Sequence, residues 1–236
     1  MSIADQLAHV QARIAAAAQR SGRDPASITL VAVSKTFPFD AVREAAAAGQ
    51  RDFGENRVQE ALQKIAQPAD TPLRWHLIGH LQTNKARKAA PAFACIHSVD
   101  SLELLRKLDE GASDRSPEAG PLDLLVQVDL AGEATKFGAP PEEADRLVRA
   151  AASLARARIV GLMLVPPWNE DPEQTRPWFV RLRDLRNRWL DDGVSPETLR
   201  HLSMGMSHDY EAAIEEGATI VRVGTAIFGT REAKAP

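Results

Sequence analysis

The sequence predicts a single (β/α)8 barrel, an α/β fold with one extra helix at its start, occupying residues 1–236 as one domain. Three observations lead there. Eight short strand-like runs, most of them rich in Val, Ile and Leu, alternate with helix-like segments, the pattern of parallel strands buried on both faces. The eighth run ends near residue 228, so eight strand–helix units account for almost the whole length. No Gly-x-Gly-x-x-Gly turn follows the first run and no linker or composition break divides the chain, which disfavours a doubly wound open sheet and a second domain.

Each element has its own signal. Ile3, Leu7, Val10 and Ile14 stand at helical spacing and predict an amphipathic helix over 3–20, stopped at Ser21-Gly22. The first strand is 28–35, β-branched and ending on Lys35; a helix over 39–48 follows and Gly49 closes it. Residues 52–55 form a short second strand with a helix over 58–65. The third strand is 73–78 and its helix, basic in character, is 83–90. The fourth is 95–99, and Asp100 or Ser101 caps a helix running to Glu110.

Gly111 to Pro121 reads as a surface loop. Beyond it come strands at 122–130, 159–165, 199–204 and 219–228. The helices between them are 141–155 with a proline in its first turn, 173–190 with Pro177 marking a later true start, and 209–216.

Composition limits the function. With 29 basic and 32 acidic residues the chain carries no excess charge suited to nucleic acid. The single cysteine, Cys95, excludes an internal disulfide and a multi-cysteine zinc site and suits a reducing compartment. The first twenty residues carry charges throughout and no signal-peptide core, and no run approaches a membrane span. A cytoplasmic, soluble protein is expected.

In a barrel of this kind the chemistry sits at the C-terminal ends of the strands. Those ends are polar and glycine-rich here: Lys35; Gly54-Glu55-Asn56; Gly79-His80; Gly205-Met206-Ser207; and Arg222 followed by Gly224-Thr225. Strand alternation puts Lys35 on the face of Val31 and Val33, where an ammonium is costly unless it is paired or covalently used; a strand-end lysine reaching solvent is the plain alternative. Ser207 is a candidate N-cap for the next helix, and a hydroxyl beside free N–H groups can hold an anion. Gly224 leaves room for an approach to the backbone, and phosphates in barrels often lie by the loops after strands 7 and 8. A lysine on strand 1, an arginine on strand 8 and a phosphate site between them suit pyridoxal phosphate (PLP).

Five segments then carry a resemblance: Val31-Ala32-Val33-Ser34-Lys35, Phe53-Gly54-Glu55-Asn56, the stretch from Trp75 to Lys85, Leu202-Ser203-Met204-Gly205-Met206-Ser207, and Val221 to Gly229. In that order they closely resemble the pyridoxal phosphate homeostasis protein family, whose fold is the barrel of the alanine racemase N-terminal domain. The resemblance implies that Lys35 forms a Schiff base with the PLP aldehyde. It implies that Ser207, Gly224 and Thr225 hold the phosphate, that Arg222 faces the pyridine nitrogen, and that Asn56 and Met204 lie beside the ring. His208 and the loop Leu164-Val165-Pro166-Pro167-Trp168 depart from the family pattern at the pocket mouth.

The resemblance leaves two readings. One is a carrier or reservoir that binds PLP reversibly as a lysine aldimine, without catalytic turnover, in vitamin B6 homeostasis; its recipients would be PLP-dependent apo-enzymes, and a monomer is the default. The other is a PLP-dependent amino-acid racemase. Against the racemase, the second proton donor in that class is a tyrosine on an appended domain, whereas this sequence runs only just beyond strand 8 and its one tyrosine, Tyr210, follows Ser207. An arginine at the ring nitrogen also makes a weaker electron sink, although racemases work with one.

Other signals are weaker. His76 and His80 would share a strand face, but no third ligand completes a metal site, and none is expected. Lys85, Arg87 and Lys88 read as a solvated helix face, the four tryptophans as packing, Cys95 as an inert buried thiol, and Lys136 as loop surface rather than a second aldehyde acceptor.

Overall fold

Apolar side chains that alternate along each strand have two cores to fill, one inside a barrel and one between the barrel and its helices. The computed structural model describes residues 1–132 and 137–230. The elements in order are α1 (Ile3–Arg20), β1 (Thr29–Val33), α2 (Phe39–Ala47), β2 (Asp52–Glu55), α3 (Val58–Ile65), β3 (Arg74–Leu77), α4 (Ala86–Ala89) and β4 (Cys95–Val99). They continue with α5 (Leu102–Gly111), β5 (Leu122–Gln127), α6 (Pro141–Arg149), β6 (Ala157–Met163), α7 (Arg176–Asp191), β7 (His201–Met206), α8 (Tyr210–Glu215), β8 (Ile220–Val223) and α9 (Thr225–Phe228).

The eight strands are parallel and close into a barrel in chain order, β1 pairing with β8 through Thr29↔Ile220 and Val31↔Arg222. Inside it Val31, Cys95, Leu125, Val160, Met163 and Ile220 form the small inner core. Their neighbours on the opposite faces, among them Ala32, Phe53, Leu77, Ile96, Leu124, Leu202 and Val221, join the outer core against the helices. That is the two-period alternation of a strand covered on both sides. Among the described residues no helix is long and apolar enough to cross a membrane.

The extra helix α1 begins with a capping box between Ser2 and Asp5. Its buried face, Leu7, Val10, Ile14, Ala17 and Ala18, packs on α8 and α9. Burying each of the three larger side chains contributes roughly 1.5–3 kcal/mol. Arg13 and Arg20 add ion pairs to Glu211 and Glu215 on α8.

Two expected strands end early, and two helix caps are settled. β8 stops at Val223 rather than running to 228, because Gly224 leaves the extended region (φ −116°, ψ −76°) and its carbonyl accepts the amides of Ile227 and Phe228, winding α9. β5 ends at Gln127, after which the Asp129 carboxylate accepts the amides of Ala131 and Gly132 in a turn. Ser207 does not cap α8, which starts three residues later with Asp209 as its cap residue. Ser101, not Asp100, caps α5, accepting the amide of Leu104.

Candidate functional site at the barrel mouth

β1 delivers Lys35 to the C-terminal rim. The last regular residue is Val33; Ser34 still donates its amide to Gly54, and a turn then closes with the Phe37 amide donating to Ser34. Within that turn Thr36 has φ +70°, a left-handed conformation costly for a β-branched residue. Lys35 is half-buried. The alternation that places it with Val31 and Val33 therefore ends at the turn.

What fixes that turn lies outside the barrel. Glu55, fully buried at the end of β2, accepts the Ser34 hydroxyl at 2.7 Å and the Lys64 ammonium of α3 at 2.5 Å. Lys64 also donates to the Ser34 carbonyl at 2.8 Å. The glutamate of the Phe-Gly-Glu-Asn segment thus clamps the residue preceding Lys35. Asn56, next in sequence, packs its backbone against Gly79 after β3. A Cβ at Gly79 would stand 2.3 Å from the Asn56 carbonyl oxygen. Gly79→Ala is expected to destabilise the fold by about 1–3 kcal/mol, measurable as a lowered urea midpoint; an unchanged midpoint would show that the two loops move apart freely.

The loops after β7 and β8 meet at Ser207. Its hydroxyl accepts the Gly224 amide at 3.0 Å and lies 3.5 Å from the Ala226 amide. Gly224 stands level with Val33 of β1, and an added Cβ there would approach the Val33 oxygen to 3.2 Å. Lys35 is two residues beyond Val33 and Thr225 one beyond Gly224, so Lys35, Ser207, Gly224 and Thr225 converge on one sector of the rim. The bend that brings Ser207 there is Gly205, with φ +92° and a register shift in β7.

Arg222 lies below that rim, on the inward face of β8 and level with Val31. It is buried, donating to the Ser203 hydroxyl at 2.7 Å and to the Leu164 carbonyl at 2.9 Å. Among the described residues no carboxylate pairs with it, and burial pulls its pKa down to about 10. Met204 is fully buried in the outer core, with Ser203 on the inward face.

The departures from the family pattern pair with one another. Trp168, exposed after β6, stacks on His208, whose Nε2–H donates to the Glu170 carbonyl at 2.7 Å. His80 is in the loop beyond β3, 3.5 Å from Asp100 and stacked on Phe137, so it does not share a strand face with His76. Lys136 lies outside the described residues.

Ser203 and His97, which carried no signal of their own in the sequence, line the barrel beneath Arg222 together with His76, which was read only against His80. Ser203 Oγ is 2.9 Å from His97 Nδ1, His97 Nε2 is 2.9 Å from His76 Nδ1, and His76 Nε2 is 2.9 Å from the Asp52 carboxylate. Cys95 joins the two imidazoles, with ligand atoms within 4.8 Å of one another, and burial pushes its thiol well up. Burial raises the Asp52 carboxyl, but its bonds to His76 and Arg74 outweigh that and leave it below its ordinary value. Alternation was the available clue: His76 and Ser203 each stand between outward apolar residues, and His97 follows the outward Ile96.

Burial, then the neighbouring His76, Arg222 and His201, hold His97 well below the ordinary 6.5. The unfolded chain takes up that proton near 6.5 and the folded one does not, so stability falls as pH drops through that value. His201 is lowered for the same reason. Urea midpoints are expected to fall between pH 7.5 and 5.5, and to fall less in His97→Gln; equal falls would exclude His97 as a source.

The family model of the alanine racemase N-terminal domain matches residues 6–232. The "Pyridoxal phosphate homeostasis protein" of Pseudomonas aeruginosa is 49% identical over 235 residues, spanning 100% of this chain and 98% of that one. The chain belongs to the pyridoxal phosphate homeostasis protein family. The family member of Escherichia coli K12 is 44% identical, over 98% of this chain and 97% of its own. PipY of Synechococcus elongatus, solved without PLP, superposes with a TM-score of 0.83 at 42% identity, covering 97% of this chain and 100% of PipY. The PLP-bound form gives 0.82. The alanine racemase of Clostridium difficile, 18% identical, shares the barrel (TM-score 0.68) over 98% of this chain and 58% of the racemase.

Proposed function

We propose that this protein binds pyridoxal 5'-phosphate at the barrel mouth, anchored on Lys35, and acts in vitamin B6 homeostasis as a carrier or reservoir without turning over amino acids. The observation that carries the reading is the buried Arg222, in an ion pair with no carboxylate among the described residues, beneath a rim where the end of β1 that carries Lys35 adjoins Gly224 and Ser207. A family whose name is PLP homeostasis, and a PLP-bound relative 41% identical, support the choice of ligand.

The residues fit that group. A buried guanidinium that forms no ion pair with a carboxylate among the described residues suits the ring nitrogen of a pyridine, which can accept a hydrogen bond from it. The Ser207 hydroxyl, the Thr225 hydroxyl and the Gly224 backbone, free of a Cβ, suit a phosphate. Asn56, fixed against Gly79, would flank the ring. The cofactor would bring an aldehyde, which condenses with an amine with loss of one water and is released by water. Lys35, held half-buried by the Ser34–Glu55–Lys64 clamp, is the amine placed to take it.

The carrier reading is favoured over a racemase by the position of the one tyrosine. Tyr210 is buried on α8 with Arg13 of α1 5.5 Å above its ring, on the outer side of the barrel. It is not a second base facing Lys35. The loaded protein, incubated with L-alanine in deuterium oxide, is expected to yield neither D-alanine nor deuterium at Cα, while an apo-enzyme added to it gains activity. Steady D-alanine formation that Lys35→Ala abolishes would overturn the non-catalytic reading.

A further inference from the structure

With both imidazoles neutral, elementary hydrogen-bond accounting gives the polar chain beneath Arg222 one direction. At its lower end the Asp52 carboxylate only accepts, so His76 presents Nε2–H to it. A neutral His76 then accepts at Nδ1, which makes His97 the donor at Nε2. A neutral His97 accepts at Nδ1, so the Ser203 hydroxyl donates to it. Ser203 is thereby left to accept from Arg222, whose guanidinium only donates. Every partner is satisfied, and every hydrogen points from the cation at the mouth toward the anion at the barrel floor, where Arg74 also meets Asp52. A metal between the imidazoles would have to break the His76–His97 bond, so the cluster with Cys95 reads as part of this chain.

We propose that Ser203, His97 and His76 are positioning residues that hold Arg222 in place and extend the Asp52 charge to it, and so set the protonation balance of the group bound above. The proposal rests on the reading that Arg222 faces the ring nitrogen of PLP. Three neutral links between two charges keep the Ser203 hydroxyl from rotating, leaving its lone pairs for the guanidinium. Cutting the chain frees that hydroxyl and uncovers the positive charge beneath the ring, which disfavours a further proton on the ligand. Asp209 at the start of α8 also acts on Arg222. Around the histidines stand His201 of β7, Cys95 of β4, Asp123 of β5 and Arg74 of β3.

Two measurements test it. Nitrogen-15 NMR of the protein labelled at histidine, without ligand, is expected to find His76 and His97 both neutral with the proton on Nε2 at pH 7.5. A proton on Nδ1 of His97 would overturn the direction of the chain. In the loaded protein, a pH titration of the visible absorption band is expected to shift its midpoint downward by about 0.5 unit or more in His97→Leu and in Asp52→Asn. His97→Gln, whose amide can accept from Ser203 and donate to His76, is expected to titrate like the wild type. Should His97→Leu fail to fold, Ser203→Ala cuts the same chain and carries the same expectation. Wild-type midpoints in all the cutting variants would refute the proposal. Absence of any visible band in the wild type would instead remove the PLP reading, with the NMR result still standing on its own.

Discussion

Lys35→Ala is expected to abolish the visible absorption band that the wild-type protein develops with PLP, and to leave no lysine tagged after borohydride reduction in the peptide spanning residue 35. The argument is positional. Lys35 follows the inner strand β1, half-buried, at the sector where Ser207 and Gly224 meet. Those contacts and Arg222 survive the substitution, so binding should weaken rather than vanish, on the order of a hundredfold, or about 2.7 kcal/mol. Lys88→Ala, on α4, is the control and should bind as the wild type does. An unchanged band in Lys35→Ala would reduce Lys35 to a rim cation and move the anchor to another amine.

The second large effect concerns stability. Glu55 and Lys64 form an ion pair whose side chains are 0% and 10% exposed. Removing one partner strands the other charge in the interior, so Lys64→Met and Glu55→Gln are each expected to cost about 3–5 kcal/mol. Replacing both by apolar residues of similar volume should recover most of that loss, because the penalty comes from the unpaired charge more than from the missing attraction. Chemical denaturation of the two single variants and the double gives the cycle; a double as unstable as the sum of its singles would refute the account. Since the pair also grips Ser34, the single variants should bind PLP more weakly than their stability loss alone explains.

The barrel was legible because every strand is covered on both faces. Runs such as 28–35 and 122–130 are mostly apolar, and their number and spacing admit few topologies. Strand ends were less legible, since β-propensity does not register where a side chain elsewhere captures the backbone. β8 stops at Val223, and the amide of the next residue, Gly224, goes to Ser207, seventeen residues earlier. The burial of Met204 was hard to read for a related reason. The segment from Leu202 to Ser207 reads as one motif, but the bend at Gly205 splits it into an inward Ser203 and a rim-facing Ser207. The polar column of Asp52, His76, His97 and Ser203 was hidden because its members come from four strands and only the closed barrel aligns them.

The sector that groups Lys35 with Ser207 and Gly224 has a consequence for when the protein becomes competent during synthesis. Its amine emerges among the earliest residues, while its hydroxyl, glycine and guanidinium all come after residue 200. The contact that unites them is the pairing of β1 with β8, the longest-range closure in the barrel. Such non-local pairings form late, after the chain has met the entropy of bringing distant segments together. A nascent chain therefore carries an exposed amine for most of its translation without the surroundings that would select its aldehyde. Selectivity arrives only when the last strand docks against the first.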